Sequence, residues 1–215
     1  VFVGLFLFSF RNVLSQRQKG FILWEVVIGL AVFGVIAGAG MKMWKIVDQG
    51  RFVRTCEQIQ TIVTQLRHYK CVHAGLPEES ALENSQALSM ASSKIWDTLS
   101  EEQWIDGVSS SAIHPSKVYP KNALGGGAGL VRATFNERSG IWLVLAKETQ
   151  HGLNGALFTP KEAERLSTTW GDGSPDSINF SAKEGMGISE GGCVEGKSFS
   201  KNSHRSCIVY LFVMD

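Results

Sequence analysis

From Phe21 to Met41 the chain runs 21 residues with a single charge, Glu25. At 1.5 Å per residue such a run covers the roughly 30 Å hydrocarbon core of a bilayer as one helix, so a membrane-spanning segment is the first expectation. A carboxylate inside it costs about 3 kcal/mol on insertion scales, which asks for a role and a cationic partner for Glu25. No Lys or Arg lies between Phe21 and Met41. The partner must be a new chain terminus or a group of another molecule. Cutting the Gly20–Phe21 bond would supply such a terminus, an α-amino group on Phe21, close to Glu25 in sequence.

The flanks add orientation. Arg11, Arg17 and Lys19 precede the run and Lys42 and Lys45 follow it, a bias that leans towards a cytoplasmic N-terminus. "GAGMKMWK" does not look like a secretory cleavage site. With 215 residues and 44% hydrophobic content, one sizeable core plus an appendage is expected. The net charge of +1 gives no bulk electrostatic reason for binding nucleic acid or anionic lipid.

"KGFILWEVVIGLAVFGVI" resembles the N-terminus of type IV pilins and type II secretion pseudopilins: a basic leader ending in Gly20, an aromatic Phe21, an acid at the fifth position of the cut chain, and an apolar helix. The resemblance implies that a prepilin peptidase cuts after Gly20 and N-methylates Phe21. It further implies that Glu25 meets the terminal amine of a neighbouring subunit as a filament grows. The implied partners are that peptidase, other pilin or pseudopilin subunits and an inner-membrane assembly platform. The implied location is a single pass through the inner membrane with the N-terminus cytoplasmic and the head periplasmic, followed by entry into a pilus or pseudopilus. "VFVGLFLFSF" at the start is apolar, unlike the common short leader, so translation is expected to begin downstream, at Val13, or the leader is a long one as in some pilin classes.

Beyond the apolar run, Phe52, Cys56, Ile59, Val63 and Leu66, with Val53, Ile62 and Tyr69 beside them, form the stripe of an amphipathic helix over 43–69. "AGLP" from Ala74 stops it. Phe21 to Ala74 would make on the order of 80 Å of helix, a stalk in the pilin sense. Gly34 and Gly38 make a G-x-x-x-G face for close helix packing, while Gly29, Gly34, Gly38 and Gly40 also weaken the helix enough for local unwinding; both readings stand. The expected organisation is a leader over 1–20, an apolar assembly half over 21–41, an amphipathic half over 42–75 and a globular head over 76–215.

In the head, "SSKIWDTLSEEQWIDG" predicts a helix with Ile95, Trp96 and Leu99 on one side, and "HPSKVYPKNALGGGAG" predicts a loop. "GLVRATFN" and "GIWLVLAKE" predict a hairpin around "NERSG". "TPKEAERLS" predicts a helix with Thr159 as N-cap, Pro160 in the first turn and Glu162 three residues after the cap. "SINFSA" and "CIVYLFVM" read as strands. The class is α+β, and the resemblance makes it a pilin fold: a long N-terminal helix with a membrane-spanning first half, packed on a small antiparallel β-sheet head.

A second resemblance, to a group of proteobacterial minor-pilin-like proteins, rests on "GALFTPKEAERLSTTWGDGSPDSINFSA" followed by Cys193, with "LPEES", Trp96, Trp104 and the glycine-rich stretch in matching places. The chain departs from that group's D-D-G-x-P-x-S-G pattern at Gly171 and Asp176. Cys193 and Cys207 flank a polar segment that resembles the disulfide-bounded loop near the C-terminus of pilins, and an oxidising compartment favours their pairing. Four reduced, buried thiols are the alternative. Cys56 and Cys71 lie about 22 Å apart along one helix and cannot pair while it is intact.

Other chemistry is thin. His68, Cys71 and His73 make half of a zinc pattern without a second pair, and Asp172 and Asp176 are the weak candidates for calcium in a turn whose residues any turn uses. No cofactor other than that calcium is expected. "GGGAG" at Gly125–Gly129 lacks the lysine of a phosphate loop and reads as a flexible connection, and no nucleophile motif surrounds "VSSSAIH". The expected function is therefore structural: a minor subunit of a type IV pilus, or a type II secretion pseudopilin. A tip module that meets DNA, a surface or a secreted protein through 194–206, with Lys197, Lys201, His204 and Arg205, is the binding alternative. A membrane-anchored periplasmic enzyme is the third, and no motif speaks for it.

Overall fold

A computed structural model of the chain describes residues 22–82, 90–186 and 192–215. It divides into two compact units, Val1–Gln49 and Gly50–Asp215. Helix α1, Ile22–His73, begins in the first and ends in the second. Among the described residues no helix is long and apolar enough to cross a membrane. The apolar stretch whose side chains are described runs from Trp24 to Ile36 and carries Glu25. That is about 20 Å of rise against the roughly 30 Å of a bilayer core. The pilin fold with a membrane-spanning first half is thereby corrected, and so is the single-pass inner-membrane location.

The second unit is mixed α/β around a large sheet rather than a small one. Six strands pair antiparallel: β3 (Gly127–Phe135), β4 (Arg138–Thr149), β5 (Gly152–Gly155), β6 (Asp176–Ser177), β7 (Phe180–Glu184) and β10 (Cys207–Met214). The order is β3-β4-β10-β7-β6, with β5 on a further stretch of β4. Two small hairpins lie outside it, β1 (Val108–Ser110) with β2 (Val118–Pro120), and β8 (Val194–Glu195) with β9 (Ser198–Phe199). Helix α2 spans Met90–Glu101 and α3 Pro160–Trp170, and a short 3-10 turn covers Glu79–Ala81.

β4 is buried on both faces from Gly140 to Ala146, and β10 likewise along almost its whole length. Strands between two layers read as continuous apolar runs, and "IWLVLA" and "CIVYLFVM" are such runs. Phe52, Ile59, Val63, Leu66 and Tyr69 on α1 join the same core, as do Ile95, Trp96 and Leu99 on α2 and Ala163 and Leu166 on α3. The end of α1 is tied to the end of β10. Arg67 Nε donates to Val213 O at 2.9 Å, its Nη2 to Phe212 O at 3.4 Å, and Lys70 Nζ to Asp215 O.

The α3 start follows its residues closely. Thr159 accepts from Glu162 N at 3.3 Å while Glu162 accepts from Thr159 N at 2.9 Å, the reciprocal capping box, with Pro160 in the first turn. The glycine-rich stretch is a correction to its reading as a flexible connection. Gly127–Gly129 open β3 and are buried, and a β-carbon at Gly127 would enter the Tyr119 ring while one at Gly126 would meet Leu157 at 2.5 Å. Close packing, not freedom, requires glycine there.

Candidate assembly segment and disulfide-closed loop

In the first unit the described side chains from Trp24 to Ile36 form an exposed, mostly apolar stretch of helix. Phe33 is 70% exposed and Val35 72%, and Trp24, Val27, Leu30 and Ile36 are exposed as well. A contiguous apolar surface of this kind marks an interaction site. Glu25 stands in the first turn of α1, where the helix dipole favours an acid by about 0.3–1 kcal/mol, and its side chain is exposed. Gly29 and Gly34 have open space where a β-carbon would go, so no contact among the described residues requires them to be small. Gly20, Phe21, Gly38 and Gly40 lie outside the residues whose side-chain surroundings are described, so the cleavage and methylation positions carry no geometry.

In the second unit Cys193 and Cys207 form a disulfide with Cα atoms 4.9 Å apart, both buried. It closes a loop built around the β8–β9 hairpin. Ser200 N donates to Cys193 O at 3.0 Å, Ser200 Oγ to Glu195 Oε1 at 2.8 Å, and Asn202 Nδ2 to Gly192 O at 2.7 Å. Lys197, Lys201, His204 and Arg205 are exposed on this frame. Arg205 Nη1 donates to Leu124 O at 3.4 Å, tying the loop to the turn before β3. Cys71 is exposed and free, and Cys56 is free and half-buried, its thiol pushed up by burial.

The weaker metal candidates are occupied by protein partners. Asp172 Oδ1 accepts from Ser174 Oγ at 2.6 Å and from Ser174 N at 2.9 Å, and these bonds hold its carboxyl below the ordinary range. Asp176 Oδ1 accepts from Ser181 Oγ at 2.9 Å. His73 stacks on Tyr69 with ring centroids 4.2 Å apart, and His68 meets Trp104 edge-on at 5.1 Å. Among the described residues no group of three metal-ligating side chains comes together.

One polar cluster was invisible in the sequence. Glu148, at the end of β4, accepts from Tyr119 Oη at 2.7 Å, from Ala112 N at 3.2 Å, from Ile113 N at 3.3 Å and from Ser111 Oγ. Burial by itself would raise the Glu148 carboxyl, but the bonds from Ser111, Tyr119, Ile113 and Ala112 outweigh it and hold the group below its ordinary value. Tyr119 is pushed up by burial and by its bond to Glu148. The cluster pins the segment after β1 to the sheet. It presents acceptors already satisfied, which suits holding a loop and not moving a proton.

No protein-family model matches the chain, and no curated protein matches it.

Proposed function

We propose that this chain is a structural subunit of a type IV pilus or a related pseudopilus, a minor one by its second resemblance, made by cutting after Gly20 and methylating Phe21 and assembled through its N-terminal helix. The observation that carries the reading is the exposed apolar surface of α1 from Trp24 to Ile36, interrupted only by Glu25. Such a surface is covered when copies pack helix to helix, and the open space at Gly29 and Gly34 lets backbones approach. Glu25 then meets the Phe21 amine of the adjacent copy. The gain is in registry more than in net stability, because desolvation offsets much of the attraction.

Two measurements test this. Mass spectrometry of the N-terminal peptide from cells is expected to show methyl-Phe21, and an intact Gly20–Phe21 bond overturns the processing. Glu25→Val is expected to be cut normally yet to enter sheared filaments at about a tenth of the wild-type amount or less, the loss of a roughly 1.4 kcal/mol registry term. Equal incorporation overturns the assembly role of Glu25.

A further inference from the structure

Within the second unit, the far end of β4 and the end of β5 border a pocket of about 470 Å³ that none of the assembly argument uses. Small-molecule sites run from about 300 to 1,000 Å³, so the size is that of a ligand pocket. Part of it is held open by the way the strands pair. Lys147 lies opposite Gly155 and Glu148 opposite Leu153, which makes Asn154 the extra residue of a bulge in β5. Asn154 fixes Met186 at two points: Met186 N donates to Asn154 O at 2.8 Å, and Asn154 Nδ2 donates to Met186 Sδ at 2.9 Å. Met186 is nevertheless 57% exposed. With the half-buried Leu124 and Ala156 it gives the pocket an accessible apolar wall whose position is set in advance.

The charges of the lining are unbalanced. Lys147 and Arg205 both line the pocket, both are exposed, and neither forms an ion pair among the described residues. Arg205 is anchored at the pocket by its bond to Leu124 O, so its guanidinium is held there and not left to solvent. The one carboxylate of the lining is Glu148, and its two oxygens are taken by Ser111, Tyr119 and the N–H groups of Ala112 and Ile113. Two cations against one committed anion leave the pocket positive, and complementarity asks for a negative group brought from outside.

We infer that this pocket binds a small organic carboxylate with a short apolar tail, its head accepting from Lys147 Nζ and the Arg205 guanidinium and its tail lying on Met186, Leu124 and Ala156. An ionised carboxylate is an acceptor only and matches two donors that are cations. Bonds in which both partners are charged are also about twice as strong as neutral ones. The inference stands apart from the assembly reading, since it uses no residue of α1.

The test uses the full-length chain, dispersed in a mild non-ionic detergent and labelled for NMR at its methionine methyl groups. The Met186 signal, identified by Met186→Leu, reports on the pocket because Met186 lines it. Titration with hexanoate is expected to shift that signal with a dissociation constant of about 1 mM. Hexanol, which has the tail without the charge, is expected to bind at least about tenfold more weakly. Lys147→Gln and Arg205→Gln are each expected to weaken hexanoate about tenfold, the worth of one charged hydrogen bond. Lys197→Gln and Lys201→Gln, which change exposed cations outside the pocket, are expected to leave its affinity unchanged. The inference is overturned by no shift at about ten times that concentration, by hexanol binding as well as hexanoate, by unchanged affinity in both folded pocket variants, or by an equal loss in the Lys197 and Lys201 variants, which would mean diffuse attraction without a site.

Discussion

Two turns of the head place a β-carbon where glycine would cost less. The β3–β4 hairpin turns on Asn136 and Glu137, with φ of 49° and 66°, and Phe135 pairs with Arg138 across it. A two-residue turn with both φ positive is the type I′ form, for which Asn-Gly is the favoured pair. Asn136 tolerates the conformation and donates from Nδ2 to Ser177 O at 2.8 Å, whereas Glu137 has only the strain. Glu137→Gly is therefore expected to raise the urea midpoint by an amount worth about 1 kcal/mol, read from equilibrium denaturation. Ala74, at φ 58° just past the end of α1, poses the same problem one residue before Gly75. Ala74→Gly is expected to stabilise by a similar or smaller amount, because glycine's extra freedom in the unfolded chain offsets part of the relief. A lower midpoint for either variant would contradict the strain assigned to that turn.

At the scale of elements, the Glu148 cluster makes a pH prediction. A carboxyl held below its ordinary value contributes stability that is complete above its unfolded pKa, about 4.3, and disappears as pH falls through the lower folded pKa. Glu148→Gln is expected to destabilise the head at pH 7 by about 1–3 kcal/mol, with the gap to wild type narrowing in acid. A gap that is constant from neutral pH down to about pH 3 would show that the charge is not what holds the loop. The disulfide makes another. Its cysteines are 14 apart in sequence, and Cys193→Ser with Cys207→Ser is expected to cost about 3 kcal/mol if the cost lies in loop closure.

What could be read from sequence at this scale was whatever is decided by near neighbours. The α3 capping box involves Thr159, Pro160 and Glu162 within one turn, and of the predicted stripe Phe52, Ile59, Ile62, Val63, Leu66 and Tyr69 are buried, while Cys56 is half-buried and Val53, on the far side of the helix, is exposed. The Glu148 cluster was not legible, because its donors come from residues 111–113 and Tyr119, about 30 positions or more away along the chain. The glycine stretch failed for the same reason: its crowding comes from Tyr119 and Leu157. For the apolar run the composition misled, since length and greasiness alone pointed to a bilayer that the described helix does not reach across.

Taken whole, the molecule couples an exposed apolar helix to a head with its own core, and the two call for different controls. Leu66, wholly buried in the core, is expected to lose about 2–5 kcal/mol of head stability on change to Ala without altering the proposed cleavage at Gly20. Normal cleavage with a lowered melting temperature would separate head folding from processing. The same measurement on Glu25→Val should show the head unchanged, because that side chain belongs to the other unit.

The place of β10 in the sheet has a consequence in time. It lies between β4 and β7, yet it is synthesised after both and after every other strand among the described residues. Until β10 has been made, β4 and β7 lack the neighbour they share, and one partner of the cystine does not yet exist. The head therefore cannot close before β10 has left the ribosome. Its nascent form carries two open, apolar strand edges of the kind that chaperones hold, and any premature stop before Cys207 leaves that state permanent.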